Sequence, residues 1–350
     1  MRAKAGALAA LGLAITVLPG CYVGHLAEGQ LRLLRAARPI EEVVADPAAP
    51  PEVRRALAEV APVLDYARAL GLEVGDQYRT YAAWPGDRVV TALVATRPGE
   101  VEPAGFWFPI VGIVPYKGFF ALARAEHEAA RLRAGGLDTC LVPVPAYSTL
   151  GWFDDPVATP LVRRGPGALA ETLLHELVHA TVFVAGDADW NEGVATFVGQ
   201  EGAVRFFAAR AGEDAAQAER RRIADERAVA RTLRALREQV AALYREPASP
   251  AREAARTAAA EATRTALAAL PLETLDPAAV AATARLGDAC LALAATYEAD
   301  LDAFARHLAT HGGDLAAFVA ALREAARADD PRRALGLPPR ADPAPTAARP

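Results

Sequence analysis

"LLHELVHATVFVAGDADWNEGVATFVG", Leu173–Gly199, decides how the second half of this 350-residue chain is read. Leu169 to Phe183 is strongly apolar, the mark of a helix buried on most sides. Gly186, in the small-residue run Ala185–Asp189, permits a turn. A second helix is expected from Glu192 to Arg210, capped by Asn191. Two antiparallel helices joined by so short a loop face one another. His175 and His179 are four residues apart on the first, so both rings leave one face, one turn apart. Glu176 adjoins His175, and Glu192 opens the second helix.

Those residue types at that spacing fit a zinc centre. Two imidazoles one turn apart can reach a single tetrahedral ion, and a catalytic zinc takes three protein ligands with one position open. Glu192 is the expected third ligand, and Glu201 is the competing carboxylate further along. Glu176 is turned away from the ion but within reach of a water beside it, as a general base requires. The alternative is a structural metal site that staples two helices, and such a site has no need of Glu176.

Outward from this stretch, the chain upstream changes character. Arg88–Thr96, Gly105–Phe120 and Thr139–Thr149 are rich in Val, Ile and aromatic residues and read as strands. Pro109, Pro143 and Pro145 place edges or bends there. A helix between the second and third strands ends at Gly135-Gly136, giving a βαβ-like element. Further helices are expected at Tyr22–Arg35 and at Pro51–Leu70, the latter kinked or split by Pro62. Tyr147, in "AYSTLGWFDDP", could donate to a developing oxyanion, or it could pack in a structural turn. Downstream, Glu213–Glu246 and Ala251–Leu270 form a helical arm whose charges read as solvated faces. Ala279–Tyr297 and Asp300–Ala326 complete the helices. Tyr297 is a second candidate oxyanion donor. Thr196, one turn after Glu192, is placed to support a ligand. Asp187 and Asp189 read as loop carboxylates, with a hydrogen bond to a ligand histidine as the competing role. His127 and His307 read as surface residues, and His311 as a helix-end histidine.

The chain begins with an address. Arg2 and Lys4 precede an apolar run, Ala5–Leu18, too short for a comfortable membrane span. "VLPGC" follows, and its Leu18, Gly20 and Cys21 resemble a bacterial lipobox, in which the cysteine is lipid-modified. The competing reading is an ordinary secretory signal that contains a Cys. Tyr22 is not the Asp that resembles an inner-membrane retention signal, so an outer-membrane location is favoured. Cys140 and Cys290 either pair in an oxidising compartment or remain buried thiols. With 38 basic and 43 acidic residues and a net charge of -5, the chain has no dense basic block. Nucleic-acid binding therefore has no electrostatic footprint.

Two resemblances carry more than the five-residue His-Glu-x-x-His pattern does. "WNEGVATFVG" resembles the "NE-G-x-A" segment that holds the glutamate ligand of gluzincins, in the same order after the histidine pair. The connection here, Ala180–Asn191, is shorter than theirs. "GCYVGHLAEGQLRLLRAARPIEEVVADP", "FPIVGIVPYKGFF" and "VPAYSTLGWFDDP" extend the likeness to a bacterial family of aminopeptidase lipoproteins over Cys21–Val198. The resemblance implies a zinc metallopeptidase with ligands His175, His179 and Glu192 and base Glu176. It also implies a peptide substrate and membrane attachment through lipid on Cys21, facing the periplasm.

The expected fold class is α+β and predominantly helical. A small mixed sheet is followed by zincin-like helices and a long helical hairpin. The expected divisions are a signal peptide (1–20), an N-terminal α/β part (21–166), a helical metallopeptidase part (167–335) with its arm near 213–270, and a disordered tail (336–350). The competing function is a non-catalytic envelope lipoprotein whose arm binds an unidentified partner.

Overall fold

In the computed structural model the described residues are 22–108, 112–146, 154–293 and 300–337. Cys21, Tyr147 and Tyr297, and with them the expected lipid site and both candidate oxyanion donors, lie outside the described residues.

The chain opens with α1 (Tyr22–Arg35), β1 (Ala37–Pro39), α2 (Ile40–Ala45), α3 (Pro51–Ala58) and α4 (Val60–Ala69). The expected helix from Pro51 to Leu70 is thus two helices. Pro62 cannot donate to the carbonyl four residues back and its ring crowds that carbonyl, so the helix restarts just before it, after Glu59. The strands follow: β2 (Thr80–Ala82), β3 (Val90–Thr96), β4 (Phe106–Phe108), β5 (Gly112–Val114) and β6 (Tyr116–Phe119). Then come α5 (Leu122–Ala134), β7 (Asp138–Val144) and β8 (Val157–Ala158).

The single sheet expected is three small ones. One has the order β6-β3-β7, with both neighbours antiparallel to β3. β3 is buried along its whole length, as a Val- and Ala-rich central strand should be. The βαβ-like element is β6–α5–β7, whose two parallel strands are separated by β3. Pro143 sits on β7, an edge strand of this sheet, where a missing N–H leaves no gap in the ladder. A second sheet, β1-β2-β8, is mixed, with β1 antiparallel and β8 parallel to β2. The strand expected from Gly105 to Phe120 breaks into three pieces, and among the described residues β4 and β5 pair only with each other.

From residue 159 the described chain is helical: α6 (Thr159–Val162), α7 (Pro166–Thr181), α8 (Ala188–Ala211), α9 (Glu213–Leu243) and α10 (Pro250–Ala268). The remaining helices are α11 (Pro277–Thr283), α12 (Asp288–Leu291), α13 (Leu301–Thr310), α14 (Leu315–Ala325) and α15 (Pro331–Ala334). Two expected helices are therefore shorter than their composition suggested. Residues 284–287 interrupt Ala279–Tyr297, with the Leu286 carbonyl taken by Arg256. Gly312 and Gly313, at φ of 64° and 79°, turn the chain between α13 and α14.

The main core surrounds α7 and α8. Leu173, Leu174 and Leu177 on α7 and Trp190, Val194 and Phe197 on α8 are almost wholly removed from water. They meet Leu57 and Val63 from the N-terminal helices, and Phe197 packs on Phe304 and Phe318 with centroids 5.9 and 5.5 Å away. Each such side chain contributes about 1.5–3 kcal/mol by burial. Among the described residues the last in the core is Leu337, 6% exposed, two residues into the segment expected as tail.

The arm is not solvated throughout. α9 lies against α8. Its Arg222 is half-buried in a cluster with Glu171 of α7 and with Glu219 and Glu226 of α9 itself. Asp225 accepts from the backbone N–H groups of Glu273, Thr274 and Leu275, which fixes the loop after α10.

Cys140 on β7 and Cys290 on α12 form a disulfide, which resolves the alternatives left by the sequence. The bridge spans 150 positions of the chain. Closing so long a loop in the unfolded chain corresponds to about 5 kcal/mol in the chain-entropy account, and losses of roughly 2–5 kcal/mol are typical. The Cys140→Ser/Cys290→Ser protein is expected to melt about 5 °C lower. Thermal unfolding of both proteins, with and without reductant, checks this; reductant should shift the wild type alone.

Candidate metal centre

α7 begins with Pro166 in its first turn, where the missing N–H costs nothing, after Gly165 at φ 91°. A Cβ on Gly167 would meet the Glu219 carboxylate at 2.1 Å, so the bare backbone admits an anion at the positive end of the helix. At the other end Thr181 donates its hydroxyl to the Leu177 carbonyl at 2.6 Å and accepts from the Glu73 N–H at 2.8 Å.

α8 crosses α7 closely because Gly199 and Gly202 lie at the contact. A Cβ on Gly199 would stand 3.0 Å from the Glu171 carbonyl oxygen and 3.3 Å from the Cβ of His175. This approach sets the depth of His175 against the second helix.

The loop between the helices is held by Asn191. It does not cap α8, which starts four residues earlier than expected; Asp187 is the cap, accepting from the Trp190 N–H at 3.1 Å. Asn191 is buried in the first turn and clamps Val184 through both backbone groups. Its Nδ2 donates to the Val184 carbonyl and its Oδ1 accepts from the Val184 N–H, each at 2.8 Å. Asn191→Ala removes both bonds and strands the Val184 groups, at a cost of about 1–3 kcal/mol. Urea unfolding measures the loss, and a change below a few tenths of a kcal/mol would contradict the clamp.

This framework brings His175, His179 and Glu192 together. Their ligating atoms all lie within 4.8 Å of one another. The two Nε2 atoms are 3.1 Å apart. Glu192 Oε2 is 3.3 Å from Nε2 of His175, and Oε1 is 3.6 Å from Nε2 of His179. All three thus point at one locus. Two nitrogens bound to one tetrahedral ion at about 2.0–2.1 Å would themselves be roughly 3.3 Å apart, so the histidine pair is already near that separation. Two neutral-capable imidazoles and one carboxylate are a donor set suited to zinc, leaving a fourth position open.

Electrostatics tie the three together without an ion. Burial works against the charged form of His175, but the hydrogen bond to Glu192 and the nearby Glu176 and Glu171 charges outweigh it and raise its pKa. Burial also opposes ionisation of Glu192, yet its hydrogen bonds to the two imidazoles bring it down to about 2. A divalent cation at this locus would displace the His175 proton.

Glu176 is half-buried on α7 and has no hydrogen bond or ion pair among the described residues. Glu171, one turn before His175, is by contrast held by Arg222. Glu201 is paired with Arg205 and does not join the cluster. Thr196 is buried with no hydrogen bond to the three residues. Asp187 is occupied as the cap and by Arg332 of α15 at 3.4 Å, and Asp189 is exposed. His127 is exposed as expected. His307 is half-buried instead; His311 is the C-cap of α13, as expected, and the two Nε2 atoms are 3.4 Å apart with both rings against Phe318. Among the described residues no third metal-binding side chain joins that pair.

The ties made by Asn191, Arg222 and Arg332 escaped the sequence reading. Asn191 adjoins Glu192, where the local pattern points to a cap; the two arginines reach across 51 and 145 positions, and no local pattern marks them. A groove of about 1110 Å³, lined by Val53, Trp84, Val162 and Phe207, lies at the opposite end of the α7–α8 pair and includes none of the cluster. Concavity alone would select that groove, but the side chains that could hold a metal converge elsewhere.

No curated protein and no solved structure matches the chain. The family described as "Putative aminopeptidase" matches residues 21–337, which takes in every element described above. The chain belongs to that family.

Proposed function

We propose that the protein is a zinc-dependent aminopeptidase of gluzincin type, carried on the bacterial envelope by lipid on Cys21 and facing the periplasm. The observation that carries the catalytic part is the convergence of His175, His179 and Glu192 close to Glu176, which has no ion pair among the described residues. Zinc bound there would polarise the scissile carbonyl and acidify a water toward a pKa of about 7. Glu176 takes the proton of the attacking water and delivers it to the leaving amine. Asn191 and Gly199 keep the two ligand helices in register, and Arg222 holds Glu171 so that it does not compete for the ion. Tyr147 and Tyr297 remain the candidate donors to the oxyanion. The Cys140–Cys290 bridge supports an oxidising compartment. No helix among the described residues is long and apolar enough to cross a membrane.

The test is hydrolysis of a peptide library by the purified full chain, with free and acetylated N-termini, alongside zinc analysis. Hydrolysis restricted to free N-termini, abolished by chelation and restored by zinc, is expected. Cleavage of acetylated peptides would replace the aminopeptidase with an endopeptidase. A zinc-loaded protein that cleaves nothing in the library would favour a structural site.

A further inference from the structure

The β4–β5 hairpin is apolar on a surface where soluble proteins seldom leave such residues. From Gly105 to Tyr116 the sequence contains no charged residue. Trp107 and Ile113 are directly opposite one another in the register, so their side chains share one face of the ribbon. That face is open: Trp107 is 66% exposed and Ile113 is 61% exposed. Tyr116, just beyond, is also exposed. The arrangement is built, since a Cβ on Gly105 would stand 2.7 Å from the Ile113 methyl Cγ2, and only a bare backbone lets Ile113 lie over it. The opposite face is packed. Phe106 is buried, and Phe108 meets the ring of Tyr22 with centroids 5.5 Å apart.

Tyr22 says where this patch is on the molecule. It is the first described residue, it follows Cys21 directly, and its hydroxyl donates to the Gly118 carbonyl at 2.9 Å. The point at which the chain enters the fold is therefore beside the hairpin. We infer that the Trp107–Ile113 face of the β4–β5 hairpin docks into the lipid surface next to the attachment point of the chain. This rests on the lipid-anchor reading of Cys21. Acyl chains on Cys21 would hold the chain at the bilayer but leave its orientation free, and a second apolar contact beside the attachment point fixes that orientation. Trp suits that position because its ring is apolar and its N–H reaches the headgroup layer. The hairpin is rooted at the Thr96 end of β3, through the Thr96–Pro103 bridge, whereas the opposite end of the sheet leads through Ala146 into the core around α7. That separation favours a lipid surface over a peptide substrate.

The full chain, purified from bacterial membranes, is reconstituted in phosphatidylethanolamine–phosphatidylglycerol vesicles whose acyl chains carry bromine. Quenching of tryptophan fluorescence is expected in the wild type and most of it should be lost in Trp107→Ala, since Trp84 and Trp190 are buried. Loss of the quenching in Trp152→Phe, with Trp107→Ala unchanged, would overturn the inference. So would absence of quenching in a wild type that is acylated by N-terminal mass; that outcome leaves the anchor intact. An unmodified Cys21 with Trp107-dependent quenching would keep the docking face and remove the anchor. Absence of quenching together with a detergent-stable oligomer broken by Trp107→Ser/Ile113→Ser would show a second copy on this face instead. A tenfold rise in KM in that variant, again without quenching, would assign the face to the peptide.

Discussion

Glu176→Gln protein is expected to hold a full complement of zinc and to melt close to the wild-type temperature, while its peptide hydrolysis falls by roughly 10²–10⁴-fold. The substitution preserves size and helix propensity, and Glu176 has no ion pair or hydrogen bond among the described residues whose loss would weaken α7. What it removes is a carboxylate able to accept a proton. The loss should fall on kcat more than on KM, since proton transfer belongs to the transition state. His175→Ala supplies the contrast, because metal and activity should vanish together. Zinc stoichiometry, melting temperature and steady-state kinetics on the three proteins separate the cases. Full activity in Glu176→Gln would remove the proposed mechanism.

Glu192→Ala should abolish stable zinc binding and with it activity, whereas Glu201→Ala should leave both near wild type. Glu192 is the carboxylate facing both imidazoles, at 3.3 and 3.6 Å, while Glu201 faces Arg205. The metal-free proteins carry a further signature. The depressed Glu192 pKa adds stability above its ordinary 4.5 that is lost as pH falls through about 2. The raised His175 pKa adds stability below its ordinary 6.5 that is lost as pH rises through the shifted value. Both contributions are therefore present between 4.5 and 6.5, the ordinary values of the two groups. With chelator present, the destabilisation by Glu192→Ala should be largest in that window and shrink above it. With zinc present it should instead persist at higher pH, where the ion needs a neutral His175. Urea unfolding across pH measures both curves, and a Glu201→Ala protein that loses zinc while Glu192→Ala keeps it would reverse the ligand assignment.

By itself, the sequence determined the helical character of the second half, the His175–Glu176–His179 face and the candidacy of Glu192. These are local consequences of a 3.6-residue period and of a turn at Gly186, and each can be read within about thirty residues. Family membership was legible from segments spread along the chain. The tertiary structure decided what local pattern could not. Whether Cys140 meets Cys290 depends on β7 and α12 coming together across 150 positions. That Glu192, and not Glu201, meets the histidines follows from where α8 starts and how closely Gly199 lets it approach α7. The role of Asn191 changed because Asp187 won the cap, and the charges of the arm changed because Arg222 turns inward to Glu171. In each case the deciding contact joins residues that are distant in the chain, and its free energy exists only once the elements have packed, so no window of sequence contains it.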